Sequence, residues 1–412
     1  MKKKKFSSIG IVLCMLFALV ALPASASQSG TCGEYLTWAL DDNGTLTISG
    51  TGDMNYTGEA PWYNSRSSIK TVVIESGVKN IGFKAFYGCG SITQIEIPDS
   101  VTTIGNFAFY GCSRLTHISI PNNVTSIGAW AFQYCYGLTS IKIPDGVKRI
   151  GMLAFANCTS LAQIELPDSI LSIEDSAFLN TAYYKNNYNW EDGVLYINNI
   201  LIIANDTVTS VTVKSGTKYI ADNAFAYCRS LTQIEIPNSV TGIGLYAFQY
   251  CSSLKHTVIL GTVANLSMNT FMATPYDLDK YGWEDDALYI SDHLIRVKNT
   301  GTDFSVKPGT KAIGNDAFRY CTELTSIEIP RSVTIIGLAA WRDGIKDIYY
   351  HGSKQDWENI SIGLGYSRTT IHYNSAPYGD LNGDGRVTAK DNTILVRYLA
   401  HWIGYESLPH LQ

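Results

Sequence analysis

The sequence predicts a repeat solenoid, a stack of short coils with a parallel β-sheet running along it. Three patterns carry that prediction. Phenylalanine and cysteine recur in fixed register: Phe86-x-x-Cys89, Phe109-x-x-Cys112, Phe132-x-x-Cys135 and Phe155-x-x-Cys158 follow one another every 23 residues. A fixed period of roughly 20 to 50 residues marks stacked supersecondary units rather than a globule with one closed core. Each period also holds alternating apolar residues that stop at a proline, as in Ile118-Ser119-Ile120-Pro121. A longer repeat lies over the first: Phe178, Trp190, Phe225, Cys228 and Pro237 recur as Phe271, Trp283, Phe318, Cys321 and Pro330, every offset 93.

The chain opens with a processing segment, residues 1–26. Lys2 to Lys5 form a positive start, Ile9 to Leu22 an apolar stretch of 14 residues, and Ala24-Ser25-Ala26 a small-residue cleavage site. This reads as a secretory signal, too short and wrongly flanked for a spanning helix. No later run of 18 apolar residues appears, so the expected mature protein is exported and soluble, with no transmembrane anchor. Removing the signal removes four lysines and no acid, leaving 27 basic against 36 acidic residues, a net −9. An acidic chain without Lys/Arg clusters does not suit nucleic acid or anionic membranes. Charged residues make up only 16%, whereas Tyr (26) and Trp (8) are plentiful and suit protein or carbohydrate contact surfaces.

Residues 27–68 read as an N-terminal β cap. Leu36, Trp38 and Leu40, then Leu46 and Ile48, alternate around Asn43-Gly44, the pattern of a β-hairpin with a primed turn. Such a hairpin covers the raw first strand of a stack. The repeats occupy residues 69–346. Their strands point Ile95 and Ile97, Ile118 and Ile120, Ile141 and Ile143, Ile164 and Leu166, Ile234 and Ile236, Ile327 and Ile329 inward. The Ile-Gly-x-x-Ala-Phe half then turns back, with Phe, the small Ala and Cys filling each coil. Near residues 183–204 and 276–297 the longer repeat carries Trp-Glu-Asp followed by Leu-Tyr-Ile, read as a β-hairpin decorating one coil. Residues 347–374 read as a C-terminal cap, and residues 375–412 as a separate tail.

The phrase Ile-Pro-x-x-Val-Thr-x-Ile-Gly-x-x-Ala-Phe-x-x-Cys resembles the BspA-like, Treponema-type leucine-rich repeat. The resemblance implies an arc-shaped solenoid with its parallel sheet on the concave face. It also implies a surface or secreted protein, in some cases an adhesin toward host proteins or other cells, and not an enzyme.

The tail carries the sharpest chemical motif, Asp380-Leu-Asn382-Gly-Asp384-Gly385-Arg386-Val-Thr388-Ala389-Lys390-Asp391. It matches a twelve-residue calcium loop, with oxygen side chains at its first, third and fifth positions and glycine at the sixth. Asp380, Asn382, Asp384 and Asp391 supply side-chain oxygens, Arg386 its backbone carbonyl, and Thr388 a ligand water. A final Asp reaches less far than the usual Glu. Ile394, Leu395, Tyr398, Leu399 and Trp402 then form an apolar helical stripe. A calcium loop with an exit helix and no entry helix resembles one half of a type I dockerin. That resemblance implies calcium as cofactor and a cohesin-bearing scaffold as partner. It places Ala389 and Lys390 at the recognition dipeptide and Val396, Arg397 and His401 on the partner-facing helix side. Dockerins carry two such halves, and this sequence holds one.

Other residue classes are better explained by structure than by chemistry. The in-register cysteines suit a buried ladder, since free Cys packs as a small apolar group, although neighbouring coils also bring disulfides within range. Glu96, Glu165, Glu235 and Glu328 recur at one outward strand position, as a solvated face does, and no catalytic motif accompanies them. The outward strand residues, among them Gln94, Glu96, His117, Ser119, Lys142 and Glu165, form a mixed polar face. Tyr183, Tyr184, Tyr188, Trp190, Tyr276, Tyr281 and Trp283 are candidate aromatic contacts on the hairpins, or else cover a coil edge. The expected protein is therefore a secreted, noncatalytic binding or adhesion protein whose repeats engage a host or cell-surface protein or glycan. Its tail would dock onto a cohesin in a cellulosome-like complex. The alternatives are a structural spacer in such an assembly or a polysaccharide-active enzyme.

Overall fold

The computed structural model describes residues 26–278, 281–284, 286–298, 301–342, 344–363 and 369–373. The tail and all but the end of the signal segment lie outside them. Neighbouring coils pair in parallel at one period: Gln94 opposite His117, Ile95 opposite Ile118 and Glu96 opposite Ser119. On the next edge the two-residue strands Asn80–Ile81, Thr103–Ile104, Ser126–Ile127, Arg149–Ile150 and Ser172–Ile173 form one five-stranded sheet. A third ladder runs along the Ala-Phe segment, where the Phe86, Phe109 and Phe132 N–H groups donate to Ala108, Ala131 and Ala154 carbonyls, each at 2.7 Å. Every coil thus hands its backbone polar groups to its neighbours, which is why such short strands persist.

The phenylalanine repeat follows from that geometry. Strands pair about 4.8 Å apart, so identical flat rings at one coil position come within stacking distance. Phe109, Phe132 and Phe155 stack with centroids 5.0 Å apart and planes within 8°. Phe86 and Phe178 extend the column at 5.2 and 5.4 Å, and Trp62 closes it on Phe86. The small residues are equally constrained. A Cβ on Gly128 would stand 2.5 Å from the Asn106 nitrogen, and one on Gly151 2.5 Å from that of Ala129. Here glycine answers a close approach of backbones.

The N-terminal hairpin pairs Leu36–Asp41 with Thr45–Gly50, and a strand not expected from sequence, Ala26–Thr31, adds to its free side. Its turn differs from the primed type. Of Asp42, Asn43 and Gly44 only Gly44 has a positive φ (86°), and the Asp41 carboxylate accepts from the Thr45 N–H at 2.7 Å. That is a three-residue loop with glycine in the left-handed position. Thr45–Gly50 then pairs in parallel with Thr71–Ile74, the first repeat strand. At the far end, residues 347–373 continue both ladders. Asp347–Tyr350 and Thr370–Tyr373 pair in parallel, and Ser361–Ile362 joins Ile335–Ile336.

The 93-residue repeat holds the main correction. Trp190–Glu191, Val194–Ile197 and Ile200–Ala204 form an antiparallel meander whose last strand pairs in parallel with Tyr219–Ile220, inside the short-strand sheet. Leu195, Ile197, Ile200 and Ile202 pack into the core that extends back to Cys32. Val194, Tyr196, Leu201 and Ala204 pack into the next core. The hairpin is a septum between two apolar cores and not a decoration on one coil. Trp283–Glu284, Ala287–Ile290 and His293–Val297 build a second septum, with Leu288, Ile290 and Ile295 on one side and Ala287, Leu294 and Val297 on the other. A strand covered on both faces is apolar throughout, as Ile200-Leu201-Ile202-Ile203 is.

Candidate functional site

Two surfaces of the stack present side chains outward. On the long-strand face Gln94, Glu96, His117, Ser119, Lys142, Gln163 and Glu165 are exposed, as their alternation requires. They pair sparingly across coils: Lys142 Nζ lies 3.3 Å from Glu165 Oε2, and Gln233 Nε2 donates to Ser210 Oγ at 2.9 Å. This face is polar and mixed in sign, with no dominant feature.

The other surface was not singled out from sequence. Along the turns beside the phenylalanine column, Phe107 stacks on Trp130 at 4.8 Å and 6°, and Tyr87 on Tyr110 at 4.7 Å and 1°. Phe83 meets Phe107 edge-on at 5.9 Å, Tyr134 meets Tyr110 edge-on at 5.3 Å, and Tyr136 adjoins Tyr134 at 5.9 Å. Phe83 and Tyr136 are 45% and 46% exposed, and the rest are half-buried. Lys84 Nζ sits 5.3 Å from both the Phe83 and the Tyr87 rings. Several of these aromatics occupy costly backbone. Phe107, Trp130 and Tyr134 have φ of 57°, 56° and 63°, and the position of Tyr134 is held by glycine, Gly88 and Gly111, in the two preceding coils. A side chain there costs about 1–2 kcal/mol. The left-handed backbone belongs to the coil, since Lys84, Leu153 and Ser176 share it at the Phe107 position with φ of 54°, 55° and 55°. The stacked rings are what set Phe107 and Trp130 apart. Their signal was legible, since Phe107/Trp130 and Tyr87/Tyr110 keep the 23-residue spacing in the variable positions of the motif.

The aromatic residues near the septa have the blander role. Trp190 Nε1 donates to the Tyr184 carbonyl at 2.8 Å, Tyr183 Oη to that of Tyr196 at 2.9 Å, and Trp283 Nε1 to that of Tyr276 at 2.9 Å. They pin the chain where it enters each septum. Tyr188 alone of the first group stands free, at 97% exposed.

The described cysteines belong to the interior. All eight described cysteines are free and buried. Cys112, Cys135 and Cys158 donate to the Phe86, Phe109 and Phe132 carbonyls of earlier coils at 3.1–3.2 Å. Burial pushes the Cys89 thiol up to about 12 and that of Cys321 to about 11, away from the reactive thiolate. Ser305 Oγ donates to Glu328 Oε2 at 2.5 Å, while His351 Nε2 lies 2.8 Å from Glu328 Oε1. The carboxylate stands between hydroxyl and imidazole, whereas an activated nucleophile needs the imidazole on the hydroxyl. Among the described residues no group of three or more His, Cys, Asp or Glu is placed to hold a metal ion, and no helix is long and apolar enough to cross a membrane. The expected calcium ligands Asp380, Asn382, Asp384, Arg386, Thr388 and Asp391 lie outside the described residues, as do the docking positions Ala389, Lys390, Val396, Arg397 and His401.

Coils paired at one period around a phenylalanine column define a leucine-rich-repeat solenoid. The chain belongs to the BspA type leucine rich repeat region family, whose model matches in six copies over residues 58–185, 184–300 and 290–344. Solved structures similar to it include a leucine rich cell surface protein from Faecalibacterium prausnitzii A2-165, 24% identical over 84% of this chain and 100% of that one, with a TM-score of 0.32. A leucine rich repeat protein of T. pallidum is 26% identical over 54% of this chain and 90% of that one, TM-score 0.31. One from Bacteroides ovatus ATCC 8483 is 20% identical over 83% and 98%, TM-score 0.31. No curated protein matches the chain. Nothing in these likenesses indicates an enzyme family.

Proposed function

We propose that this chain is an exported, noncatalytic binding protein that engages a partner protein through the aromatic ladder of its first coils. The ladder carries the reading: aromatic rings stack from coil to coil along the outer turns, and Phe83 and Tyr136 beside them stay 45% and 46% exposed. Its geometry favours protein over glycan. A pyranose docks on a free ring face, and stacking covers one face of each ring in the Phe107/Trp130 and Tyr87/Tyr110 pairs. The exposed Phe83 and Tyr136 rings and the tyrosine hydroxyls suit apolar side chains and backbone carbonyls of a protein. The long-strand face, concave if the stack bends as its family implies, supplies a polar flank. The secretory signal of residues 1–26 supports export.

The tail adds a second expected contact. The Asp380-to-Asp391 loop and the helix after it support calcium-dependent docking of Ala389, Lys390, Val396, Arg397 and His401 onto a cohesin-bearing scaffold. A calcium-dependent pull-down from the secreted and surface proteins of the source organism tests both contacts. Retention of a cohesin-bearing partner that EGTA or Asp380→Ala/Asp384→Ala abolishes supports docking. A different partner, lost on Phe107→Ser/Trp130→Ser but indifferent to EGTA, supports the ladder. If no partner responds to either change, both readings fail.

A further inference from the structure

Tyr87 and Tyr110 fill the same variable position of the Phe-x-x-Cys segment in adjacent coils. Coils paired in register give identical side chains the same direction, and the two rings lie one on the other at 4.7 Å and 1°. Rings stacked the same way round bring their hydroxyl ends together and set the ortho carbons of one against those of the other. Burial, with the Tyr87 and Tyr134 phenols close by, raises the Tyr110 pKa above its usual range, in keeping with neighbouring oxygens.

Further tyrosines extend the pair in both directions. Tyr63 lies 6.3 Å from Tyr87, Tyr134 lies 5.3 Å from Tyr110, and Tyr136 lies 5.9 Å from Tyr134. Rings this close pass an electron vacancy from one to the next, so an oxidant that strikes any of the five reaches the central pair. Phe107 on Trp130 is nearly as close, at 4.8 Å, but Phe107 has no phenol to oxidise. Thiols do not compete, since all eight described cysteines are buried and held away from the reactive thiolate by that burial.

We propose that Tyr87 and Tyr110 are a site of oxidative modification, joined through their ortho carbons into a dityrosine when the chain meets a peroxide and a haem peroxidase. Each phenol gives up one electron and its hydroxyl proton, and the two ring radicals couple to form one carbon–carbon bond. The hydrogen on each coupling carbon then moves to its own oxygen as a proton, which restores both aromatic rings. Two electrons and two protons leave in all and reduce one peroxide to two waters. The bond would tie neighbouring coils across 23 residues and constrain the unfolded chain as a disulfide does. It needs only the rings and the oxidant, and stands whether or not the ladder engages a partner.

Oxidation of the whole mature chain, in dilute solution, with hydrogen peroxide and a haem peroxidase tests the site. The expected product is a monomer two hydrogens lighter that shows dityrosine fluorescence. Residues 85–114 contain no Lys or Arg before Arg114, so trypsin releases both tyrosines on one peptide. Cleavage of that peptide after Glu96 is expected to leave its halves joined. Tyr87→Phe and Tyr110→Phe remove only a hydroxyl, and each should abolish the linkage. Tyr188→Phe should leave it intact, although Tyr188 is 97% exposed and would react first if accessibility alone decided. Absence of dityrosine, dityrosine confined to covalent dimers, halves that separate after Glu96, or a linkage that survives Tyr87→Phe overturns the proposal.

Discussion

The coils of residues 69–178 and those of residues 179–342 are built from one motif, yet they solve the stacking problem differently. In the first stretch five phenylalanine rings form an unbroken column at 5.0–5.4 Å. In the second the column runs Phe225, Phe248, Phe271 at 5.3 Å and then breaks, and among the described residues Phe318 meets Phe304 and Trp341 edge-on. The difference is the septum. Inserting a two-sided β wall ends one core and starts another, so the described residues form three apolar cores. The outer turns vary in both stretches: the aromatic ladder runs along the first, and in the second Tyr227 stacks on Tyr250 at 4.9 Å.

The contrast is broken most severely by Phe132→Ala, which empties the middle of the column where both neighbours stack at 5.0 Å. A cavity held open by rigid coils is expected to cost about 3–5 kcal/mol, read as a fall in the first unfolding transition by guanidinium titration. Repeat stacks with separate cores need not unfold in one step.

The septa sharpen it through acid. His293 in the second septum is buried, and its Nε2 accepts from the Val263 N–H at 3.0 Å. The first septum has Ile200 there. Burial lowers the His293 pKa to about 4 from 6.5. With the folded value depressed, protonation favours the unfolded chain, so the stability present above pH 6.5 is lost as pH falls toward 4. The loss is about 3 kcal/mol, and His293→Ile should remove that part of the acid sensitivity. Hydrogen exchange at Val263 between pH 7 and 4.5, parent against variant, reads it locally.

Asp222 of the first septum is the converse case, since the second has Asn315. Burial, with Glu174 adding repulsion, raises the Asp222 carboxyl to about 6 from 3.8. A raised folded value means stability present below pH 3.8 and lost as pH rises through 6. Asp222→Asn should therefore stabilise the protein at pH 7 by about 1–2 kcal/mol after allowance for partial exposure, with the gain vanishing near pH 3.5. The amide keeps the backbone bond, as Asn315 Oδ1 accepts from the Leu338 N–H at 2.8 Å where Asp222 accepts from Leu245 at 3.0 Å. Smallest is Lys142→Ala. It removes a pair whose side chains are 80% and 66% exposed, and a change below about 0.5 kcal/mol is expected in the same titration.

How much of this was readable beforehand depends on whether a residue's role was local. Phe, Ala and Cys at 23-residue spacing announced the column, because stacking identical coils demands identical inward residues. The septa were visible as a 93-residue offset but not as walls. Leu195 and Tyr196 look alike in sequence, and only the next coil shows that they face opposite cores. The primed turn at Asn43-Gly44 failed because the Asp41 carboxylate, two residues before the motif, captures the Thr45 amide. The ladder was spelled out in Phe107 and Trp130 and overlooked, since variable motif positions read as solvent-facing.

The measurement that bears most directly on the ladder is photo-cross-linking from two positions of the mature chain. A benzophenone side chain would replace Phe107 in one variant and His117, on the polar strand face, in another, each presented to cells of the source organism. Protein adducts from position 107 and none from 117 are the predicted result. Adducts from 117 alone, or from neither position while the parent still adheres, would contradict the assignment of binding to the aromatic turns.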